Sequence, residues 1–272
     1  MEALREKVSL KNRTVSIIGG TGGMGRLFVK VFKNSVKEVV ICSRSFKKAK
    51  KIANEFNVSV WPIDECDKAD IIIVSVPIDK TYRICESIIR KMSTGSLLIE
   101  ISSVKHGIAD KLSKDLEFLD IEYLSLHPLF GPKVKSIKGR RVVFIPIKPG
   151  PLTEGVVNLL KNRKALLVES DIIEHDKSMA AMQVAHHFAF LTLIVTLKKY
   201  SKKHSLKEFE TESFRSTKKT LKMIKENYDT IMGIQKKNPY AKTARKRFAD
   251  IAREISNMDD YSIRFLKEIM KK

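Results

Sequence analysis

The chain has 272 residues, 43% of them hydrophobic, which fits a soluble globular protein with one large or two modest domains. Residues 1–7 lack the apolar core of a signal peptide, and the longest nearly apolar run, residues 188–197, is too short to span a bilayer. Three cysteines without metal-ligand spacing predict reduced thiols in a cytoplasmic protein. These observations argue against secretion, membrane insertion and a bound metal.

The net charge is +21, because 52 lysine and arginine residues exceed 31 aspartate and glutamate residues. Such a balance is compatible with nucleic acid, or with an anionic ligand that a positive cleft would attract. The lysines are spread along the whole chain and are not clustered with aromatic residues, which is typical of a solvated, thermophile-type surface. We therefore expect a small anionic ligand and no nucleic-acid partner.

The first predicted strand ends in a glycine-rich loop, and a helical pattern follows at once. Gly20, Gly22 and Gly25 occupy the three glycine positions of G-x-G-x-x-G. The first glycine allows a tight turn, the second lets backbone approach a pyrophosphate, and the third lets helix and strand pack closely. The helix N-terminus then offers unpaired N–H groups to the phosphates. The predicted dinucleotide contacts in this loop are Gly20, Thr21, Gly22, Gly23, Met24 and Gly25.

The second predicted strand ends in Ser43, Arg44 and Ser45. At this position, about 20 residues past the glycines, an NAD-binding chain would carry an acidic residue for the ribose 2′-hydroxyl. A guanidinium flanked by hydroxyls suits a 2′-phosphate instead, because it binds phosphate in a fork. We therefore predict NADP as the cofactor, with NAD as the alternative. The competing interpretation makes Arg44 a surface residue at a helix start.

Strands and helices alternate up to about residue 170, which predicts an α/β fold with a doubly wound, mostly parallel (Rossmann) sheet. Val76 and Pro77 end a fully apolar central strand and are predicted to contact the cofactor. Ser103 and His127 follow two later strands. Because ligands of such sheets bind at the carboxyl ends of the strands, we expect both side chains to approach the nicotinamide. The predicted strands are residues 13–18, 38–42, 58–61, 70–76, 96–101, 121–126, 141–147 and 165–169, and the predicted helices are residues 23–33, 47–56 and 80–92.

From about residue 171 to the end, the pattern is helical throughout. Residues 178–200 predict one apolar helix, and residues 206–234 and 240–270 predict two amphipathic helices. The predicted domains are therefore residues 1–172, which form the dinucleotide-binding domain, and residues 173–272, which form an all-helical domain. A helix that is apolar nearly all round must be buried, and a second copy would bury it best. We predict a homodimer through this domain.

The sequence resembles the prephenate dehydrogenase (TyrA) family over nearly its whole length. The matching segments are GGTGGMG, ISSVK, SLHPLFGP and EHDKSMAAMQVAHHFAF. The family's catalytic histidine falls on His127, the serine of its S-V-K segment on Ser103, and its helical-domain histidine on His187. The resemblance also implies dimerisation through the helices.

The reaction implied by this resemblance is the oxidative decarboxylation of prephenate to 4-hydroxyphenylpyruvate in tyrosine biosynthesis, with hydride passing to NAD(P)+. His127 would accept the hydroxyl proton as the ketone forms. Ser103 would orient His127 or touch the substrate hydroxyl, and His187 would help to close the cleft and bind a polar substrate group. The competing interpretations are an ordinary strand-end histidine for His127 and a helix cap for Ser103. Of the remaining histidines, His106, His175 and His204 are predicted to be structural or surface residues, and His186 is predicted to be a buried or interface residue.

One position departs from the family pattern. The family places a substrate-binding arginine six residues before the proline of a D-P or N-P turn, and here Gly233 lies six residues before Pro239. Other cations must then hold the substrate carboxylate. The candidates are Arg215, Arg245, Lys236 and Lys237.

Other functions share some of these features. A related NADP-dependent dehydrogenase could act on arogenate or on a β-hydroxy acid, although the latter group would need a catalytic lysine motif that is not evident. A deazaflavin-dependent NADP reductase shares the glycine loop and the Ser-Arg-Ser segment but gives no reason for the HPLFGP segment. A non-catalytic NADP-binding sensor, or a protein associated with nucleic acid, would explain the missing arginine or the net charge.

Overall fold

The computed structural model describes residues 9–201 and 206–271, and it divides into two compact units, Met1–His175 and Asp176–Lys272. The predictions for the N-terminal heptapeptide and for His204 fall outside the described residues. The predicted domain boundary after residue 172 stays a prediction.

One eight-stranded sheet organises the first unit. Its strands are β1 (Thr14–Ile18), β2 (Glu38–Cys42), β3 (Ser59–Trp61), β4 (Ile71–Val74), β5 (Ser96–Glu100), β6 (Ile121–Pro128), β7 (Arg141–Lys148) and β8 (Leu166–Glu169). Their order in the sheet is β3-β2-β1-β4-β5-β6-β7-β8. Neighbouring strands are parallel, except that β6 and β7 are antiparallel. The predicted doubly wound, mostly parallel sheet is confirmed.

The central strands are buried on both faces, which explains their continuous apolar sequences. In β4, Ile71 and Ile73 join one hydrophobic core, whereas Ile72 and Val74 join the core on the opposite face of the sheet. This is the alternation expected of a strand, with each face covered by its own layer. The three cysteines are free thiols and all lie buried in this unit.

Helices cover the sheet, and the sequence pattern does not predict the last two of them in chain order. The helices of this unit are α1 (Gly23–Phe32), α2 (Phe46–Phe56), α3 (Ile78–Ile89), α4 (Ala109–Asp115) and α5 (Pro151–Asn162), with a 3-10 segment at Ile63–Lys68. The start of α5 is capped by Glu122 of β6, whose carboxylate accepts hydrogen bonds from the amides of Leu152 and Thr153 at 2.9 and 2.6 Å. This side-chain cap comes from a distant strand, so the local sequence shows only Pro151 and Glu154 in the first turn as signals of the helix start.

The second unit is helical, as predicted. Its helices are α6 (Ile172–Met179), which begins in the first unit, α7 (His186–Tyr200), α8 (Glu212–Glu226), α9 (Tyr228–Lys237), α10 (Ala241–Glu254) and α11 (Asp260–Met270), with a 3-10 segment at Lys207–Phe209. A π-helical segment, Ala180–Ala185, joins α6 to α7. The predicted apolar helix over residues 178–200 is therefore helical, but it starts earlier and changes its winding before His186.

Each of the two predicted amphipathic helices is in fact two helices. Asn227 separates α8 from α9, and its side-chain amide donates to the Met223 carbonyl at 2.8 Å. Asp259 caps α11 by accepting from the amide of Ser262 at 2.8 Å, directly after Met258, whose φ is 50°. Short polar side chains that bond to nearby backbone compete with a continuous helix, and here they interrupt an otherwise regular apolar pattern.

The helical stretch Ile172–Tyr200 is only partly covered within the chain. It has 29 residues, and its most apolar 18-residue window has a mean hydropathy of 1.5, with 11% of that window buried. Within the described ranges it is the one helix long and apolar enough to cross a bilayer, so the shortness of the apolar run does not exclude a membrane. The expectation that this helix is buried is not met within a single chain. Such a surface is equally typical of a helix that a second subunit covers.

Candidate active site

The chain leaves β1 at Gly19, whose φ of 82° is in the left-handed region. A Cβ added there would lie 2.2 Å from the carbonyl oxygen of Ser75, because β1 and β4 are neighbours in the sheet. Only glycine satisfies both the conformation and the space. The tight turn that the motif assigns to Gly20 therefore falls one residue earlier, and Gly19 is a site residue that motif counting missed.

The other glycines leave room for a nucleotide at the start of α1. A Cβ at Gly25 would lie 2.4 Å from the Gly19 carbonyl oxygen, so this glycine allows the helix to pack on the loop. At Gly22, the residue before α1, an added Cβ would meet one atom, the same carbonyl oxygen, at 3.3 Å, and the space beyond is open. No side chain caps this helix start and no acidic residue lies in its first turn. These features fit a bound pyrophosphate.

The remaining loop residues tie the glycine loop to its surroundings. The Thr21 carbonyl accepts from Nε of Arg26 at 3.2 Å, and Met24 packs against the hydrophobic core. A Cβ at Gly23 would lie 2.7 Å from Cβ of Pro132, which belongs to the segment that follows β6. The glycine loop and the HPLFGP segment are therefore in contact, which places the end of β6 beside the predicted nucleotide site.

The loop after β2 presents a cation beside the glycine loop. The hydroxyls of Ser43 and Thr21 are 3.4 Å apart, which joins the two loops. Ser45 caps α2 by accepting from the amide of Lys48 at 3.4 Å. Arg44 between them is exposed and has no hydrogen-bond or ion-pair partner among the described residues. Its guanidinium is thus available for an anionic ligand.

Val76 and Pro77 follow β4 and border the same loop. The Cγ1 atom of Val76 would lie 3.2 Å from a Cβ at Gly19, and Pro77 is exposed at the start of α3. Both residues are therefore at the carboxyl edge of the sheet, where nucleotide ligands of this fold bind.

His127 lies inside β6, which continues to Pro128 instead of ending at residue 126. Its side chain is 2% exposed, and its Nδ1 atom lies 2.8 Å from Nε2 of His175, which is also 2% exposed. The ring centroids are 5.0 Å apart and the rings are inclined by 64°, so the two imidazoles meet edge to face. Sequence reasoning missed His175 because 48 residues separate it from His127.

A fully buried ion pair lies at the same strand end. The Lys105 ammonium lies 2.9 Å from Oε1 of Glu100 and donates to the Leu126 carbonyl at 2.7 Å. Glu100 also accepts from the hydroxyls of Ser102 and Ser125. Such a pair is tolerated in the interior because its remaining polar atoms are hydrogen-bonded.

This environment holds the pKa of His127 well below its usual value. Burial is the largest cause, the positive charge of Lys105 is the second, and His175 is the third. A histidine of lowered pKa is neutral at pH 7. His127 is therefore an uncharged imidazole that can accept a hydrogen bond or a proton from a ligand.

Ser103 is half-buried and follows β5, in the segment whose Lys105 donates to the Leu126 carbonyl. Glu100 of β5 is opposite Ser125 of β6, so these parallel strands bring both predicted residues to the carboxyl edge of the sheet. The competing interpretation of Ser103 as a helix cap is wrong, because α4 begins six residues later at Ala109 with Ile108 before it. A contact between Ser103 and His127 stays a prediction.

His187 belongs to the helical unit. It is 9% exposed, its Nδ1 atom is buried without a hydrogen-bond partner, and burial followed by the charge of His186 lowers its pKa to about 4. His186 is exposed, so the prediction of a buried position is wrong, and its alternative, an interface position, stays a prediction. Of the two adjacent histidines, His187 is the one with an unused buried polar atom.

The four candidate cations differ in what they already bind. Arg215 pairs with Glu210 and Glu212, and Lys237 is exposed on α9. Arg245 is half-buried and donates through Nη1 to the main-chain and side-chain oxygens of Gln235 at 2.7 and 3.0 Å. Arg245 and Lys236 line a cavity of about 560 Å³ together with apolar residues of α7. No cluster of three or more metal-ligating side chains occurs in the described part of the chain.

The fold and the loop geometry define a nucleotide-binding unit of the doubly wound type, followed by a helical unit. Two family models match the chain: "Prephenate dehydrogenase, nucleotide-binding domain" over residues 29–169 and "Prephenate dehydrogenase, dimerization domain" over residues 171–272. The chain therefore belongs to the prephenate dehydrogenase family.

Individual relatives agree with this assignment. A probable arogenate/prephenate dehydrogenase of Methanocaldococcus jannaschii is 31% identical over 258 residues, which are 91% of this chain and 57% of the relative. The T-protein of Haemophilus influenzae is 28% identical over 177 residues, which are 64% of this chain and 42% of that protein. This chain thus spans about half the length of these curated relatives.

Among solved structures, prephenate dehydrogenase from Aquifex aeolicus, in complex with hydroxyphenyl propionate and NAD+, has the same fold. Its TM-score is 0.74 and its sequence identity is 16%, with 96% of this chain and 97% of that chain covered. At this identity the likeness concerns the fold.

Proposed function

We propose that the chain is an NADP-dependent prephenate dehydrogenase that converts prephenate to 4-hydroxyphenylpyruvate and CO2. The observation that supports this proposal best is a buried, neutral His127 at the end of β6, next to a segment that touches the glycine loop. A base in this position would face the ring of a nucleotide whose pyrophosphate lies at the start of α1. When bound, the nicotinamide supplies the hydride acceptor.

The proposed chemistry assigns one proton to His127. Its Nε2 atom accepts the hydroxyl proton of the substrate as the hydride leaves the same carbon and a ketone forms. Loss of the ring carboxylate as CO2 leaves its electron pair in the ring, and the phenolate oxygen regains the proton from His127. Because His127 has a lowered pKa, it gives the proton back readily. Ser103 orients His127 or binds the hydroxyl, and His187 binds a polar substrate group.

The substrate is a dianion in this proposal, and a cation of the helical unit holds its carboxylate. Gly233 cannot do so, and among the four candidates Arg245 has a guanidinium fixed by Gln235 and a cavity beside it. Arogenate carries an amino group in place of the keto group of prephenate, and it is the alternative substrate. Arg44, Ser43 and Ser45 are proposed to bind the 2′-phosphate of NADP.

We also propose that the active form is a cytoplasmic homodimer. The exposed apolar surface of α7 and the match of residues 171–272 to a dimerization domain support the dimer. A second copy would cover this surface without requiring a membrane.

The experiment that tests this proposal follows NADPH formation with prephenate, with arogenate or with neither, and repeats each assay with NAD+. We expect turnover that requires prephenate and is faster with NADP+. Turnover with arogenate alone would replace the proposed substrate.

A non-catalytic sensor is the second candidate, because the family's arginine position holds Gly233. It predicts NADP+ binding, measured by calorimetry, with no turnover on either substrate. That result would overturn the enzymatic proposal and leave the nucleotide site intact.

A further inference from the structure

His127 and His175 form a buried pair joined by one hydrogen bond, in which either ring could be the donor. The Nδ1 to Nε2 distance of 2.8 Å requires one proton between the two atoms. A neutral imidazole carries one proton, on either nitrogen, so the pair fixes the tautomer of each ring. The proposed role of His127 as the base decides which ring is the donor.

The reaction requires the donor to be His127. If its Nε2 atom accepts the substrate proton, the resting proton must be on Nδ1, and Nδ1 then donates to Nε2 of His175. His175 in turn carries its own proton on Nδ1. The opposite arrangement would put the proton of His127 on Nε2, where it would block the proposed base.

A neutral partner suits this site better than a carboxylate would. A carboxylate next to Nδ1 would raise the pKa of His127, whereas an imidazole leaves it low. The Lys105 ammonium pairs with Glu100 at 2.9 Å, and its remaining positive field disfavours a second positive charge at this strand end. His127 therefore stays uncharged until the substrate proton arrives.

We propose that His175 is a positioning residue for the reaction: it accepts the Nδ1 proton of His127 in a hydrogen bond, holds Nε2 in the unprotonated form, and shares the charge when Nε2 is protonated. In that step the substrate O–H bond breaks, an N–H bond forms at Nε2 of His127, and the Nδ1 proton moves toward Nε2 of His175. This inference rests on the proposed function, because only a base at Nε2 requires the tautomer.

Two amide variants test the role with matched chemistry. In His175→Gln the side-chain oxygen can reach the position of Nε2, whereas in His175→Asn it lies near the position of Nδ1 and cannot reach His127. We expect His175→Asn to lower kcat by about 100-fold, with the KM for NADP+ within about twofold, and His175→Gln to recover at least about tenfold of that loss. Equal kcat values for the two variants would overturn the proposal.

Nitrogen-15 NMR of the histidine rings in the unaltered protein gives a readout that depends on neither activity nor variant folding. We expect His127 as the Nδ1–H tautomer at pH 7.5, and a loss of this preference in His175→Asn. An Nε2–H tautomer in the unaltered protein, or an unchanged tautomer in His175→Asn, contradicts the inference. Absence of turnover in the unaltered protein would instead contradict the proposed function. The tautomer measurement would then still show whether His127 or His175 donates the hydrogen bond.

Discussion

The two units of this chain bury their apolar residues to different extents. In the first unit the central strands of the sheet are covered on both faces, and Ile71, Ile72 and Ile73 of β4 are 0% exposed. In the second unit most large apolar side chains of α7 are only half-buried, and Val195 on this helix is 54% exposed.

The difference shows where each unit obtains its stability. Covering the apolar faces of a parallel sheet removes them from water within one chain, which stabilises the first unit by itself. A helix whose apolar side chains are only partly covered gains the rest of this stabilisation when another surface covers them. Chemistry that depends on fixed positions is therefore expected in the first unit, and assembly in the second.

The largest expected effect is on the chemistry of the first unit. Replacing His127 by Asn removes the base but leaves a polar group of similar size, and we expect kcat to fall by about 1,000-fold with little change in NADP+ affinity. Steady-state kinetics and calorimetry measure the two quantities. The control is His106→Asn, because His106 is an exposed histidine of the same unit. Retention of more than a tenth of the activity in His127→Asn would remove His127 from the mechanism.

The second largest expected effect is on the nucleotide loop, where two glycine variants distinguish backbone strain from steric exclusion. Gly19→Ala combines a positive φ with a contact of 2.2 Å to Ser75, whereas Gly95→Ala has a φ of 74° and nothing within 4 Å. We expect Gly19→Ala to weaken NADP+ binding by about 100-fold or to unfold the unit, and Gly95→Ala to cost about 1 kcal/mol of stability. Denaturant titration and calorimetry test this, and equal effects of the two variants would contradict the geometry of the loop.

The glycine loop and the strands could be predicted because their causes are local. Gly22 and Gly25 stand in a motif whose spacing follows from one strand, one turn and one helix, and the apolar run at β4 specifies a buried strand. Gly19 was missed because its constraint comes from Ser75, which belongs to a different strand. The motif indicates that a turn exists. The close approach of the neighbouring strand determines which residue of the turn must be glycine.

Other features depend on contacts that a linear pattern does not contain. His175 meets His127 across 48 residues, and Glu122 caps α5 from 30 residues away. In the helical unit, Asn227 and Asp259 interrupt regular amphipathic patterns by bonding to their own backbone. Periodicity describes which face is apolar, and it does not report where one helix ends and the next begins.

The third prediction tests whether a second copy completes the helical unit. Val195→Glu would place a charge on the exposed apolar surface of α7, and we expect the dimer dissociation constant, from analytical ultracentrifugation, to rise by about 30-fold or more. Phe118→Glu is the matched control, since Phe118 is a 92% exposed apolar residue of the first unit. A dimer that persists unchanged in Val195→Glu would place the interface elsewhere.

The fourth prediction concerns the cofactor. Arg44→Ala removes the exposed guanidinium beside Ser43, and we expect the KM for NADP+ to rise by about tenfold while the KM for NAD+ stays within about twofold. The control is Lys47→Ala, which removes an exposed cation at the next helix. A parallel change for both cofactors would show that Arg44 does not bind the 2′-phosphate.

The smallest expected effect is on the stability of the helical unit. The pKa of His187 is lowered to about 4, so between that value and the unfolded value near 6.5 the unfolded chain binds the additional proton. Stability is therefore complete above about pH 6.5 and is lost as the pH falls. We expect His187 to contribute about 1 kcal/mol to the loss of stability between pH 7.5 and 5.5. His187→Asn removes this contribution, and His186→Asn, at an exposed neighbour, does not. Urea titrations at the two pH values measure it, and an equal loss in all three proteins would refute the assignment.

The most direct test of the central claim is the stoichiometry of the products when prephenate and NADP+ are mixed with the protein. If the chain catalyses the proposed oxidative decarboxylation with His127 as the base, NADPH, CO2 and 4-hydroxyphenylpyruvate should form in equal amounts, and His127→Asn should form all three about 1,000-fold more slowly. NADPH without matching CO2, or no NADPH at all, would contradict it.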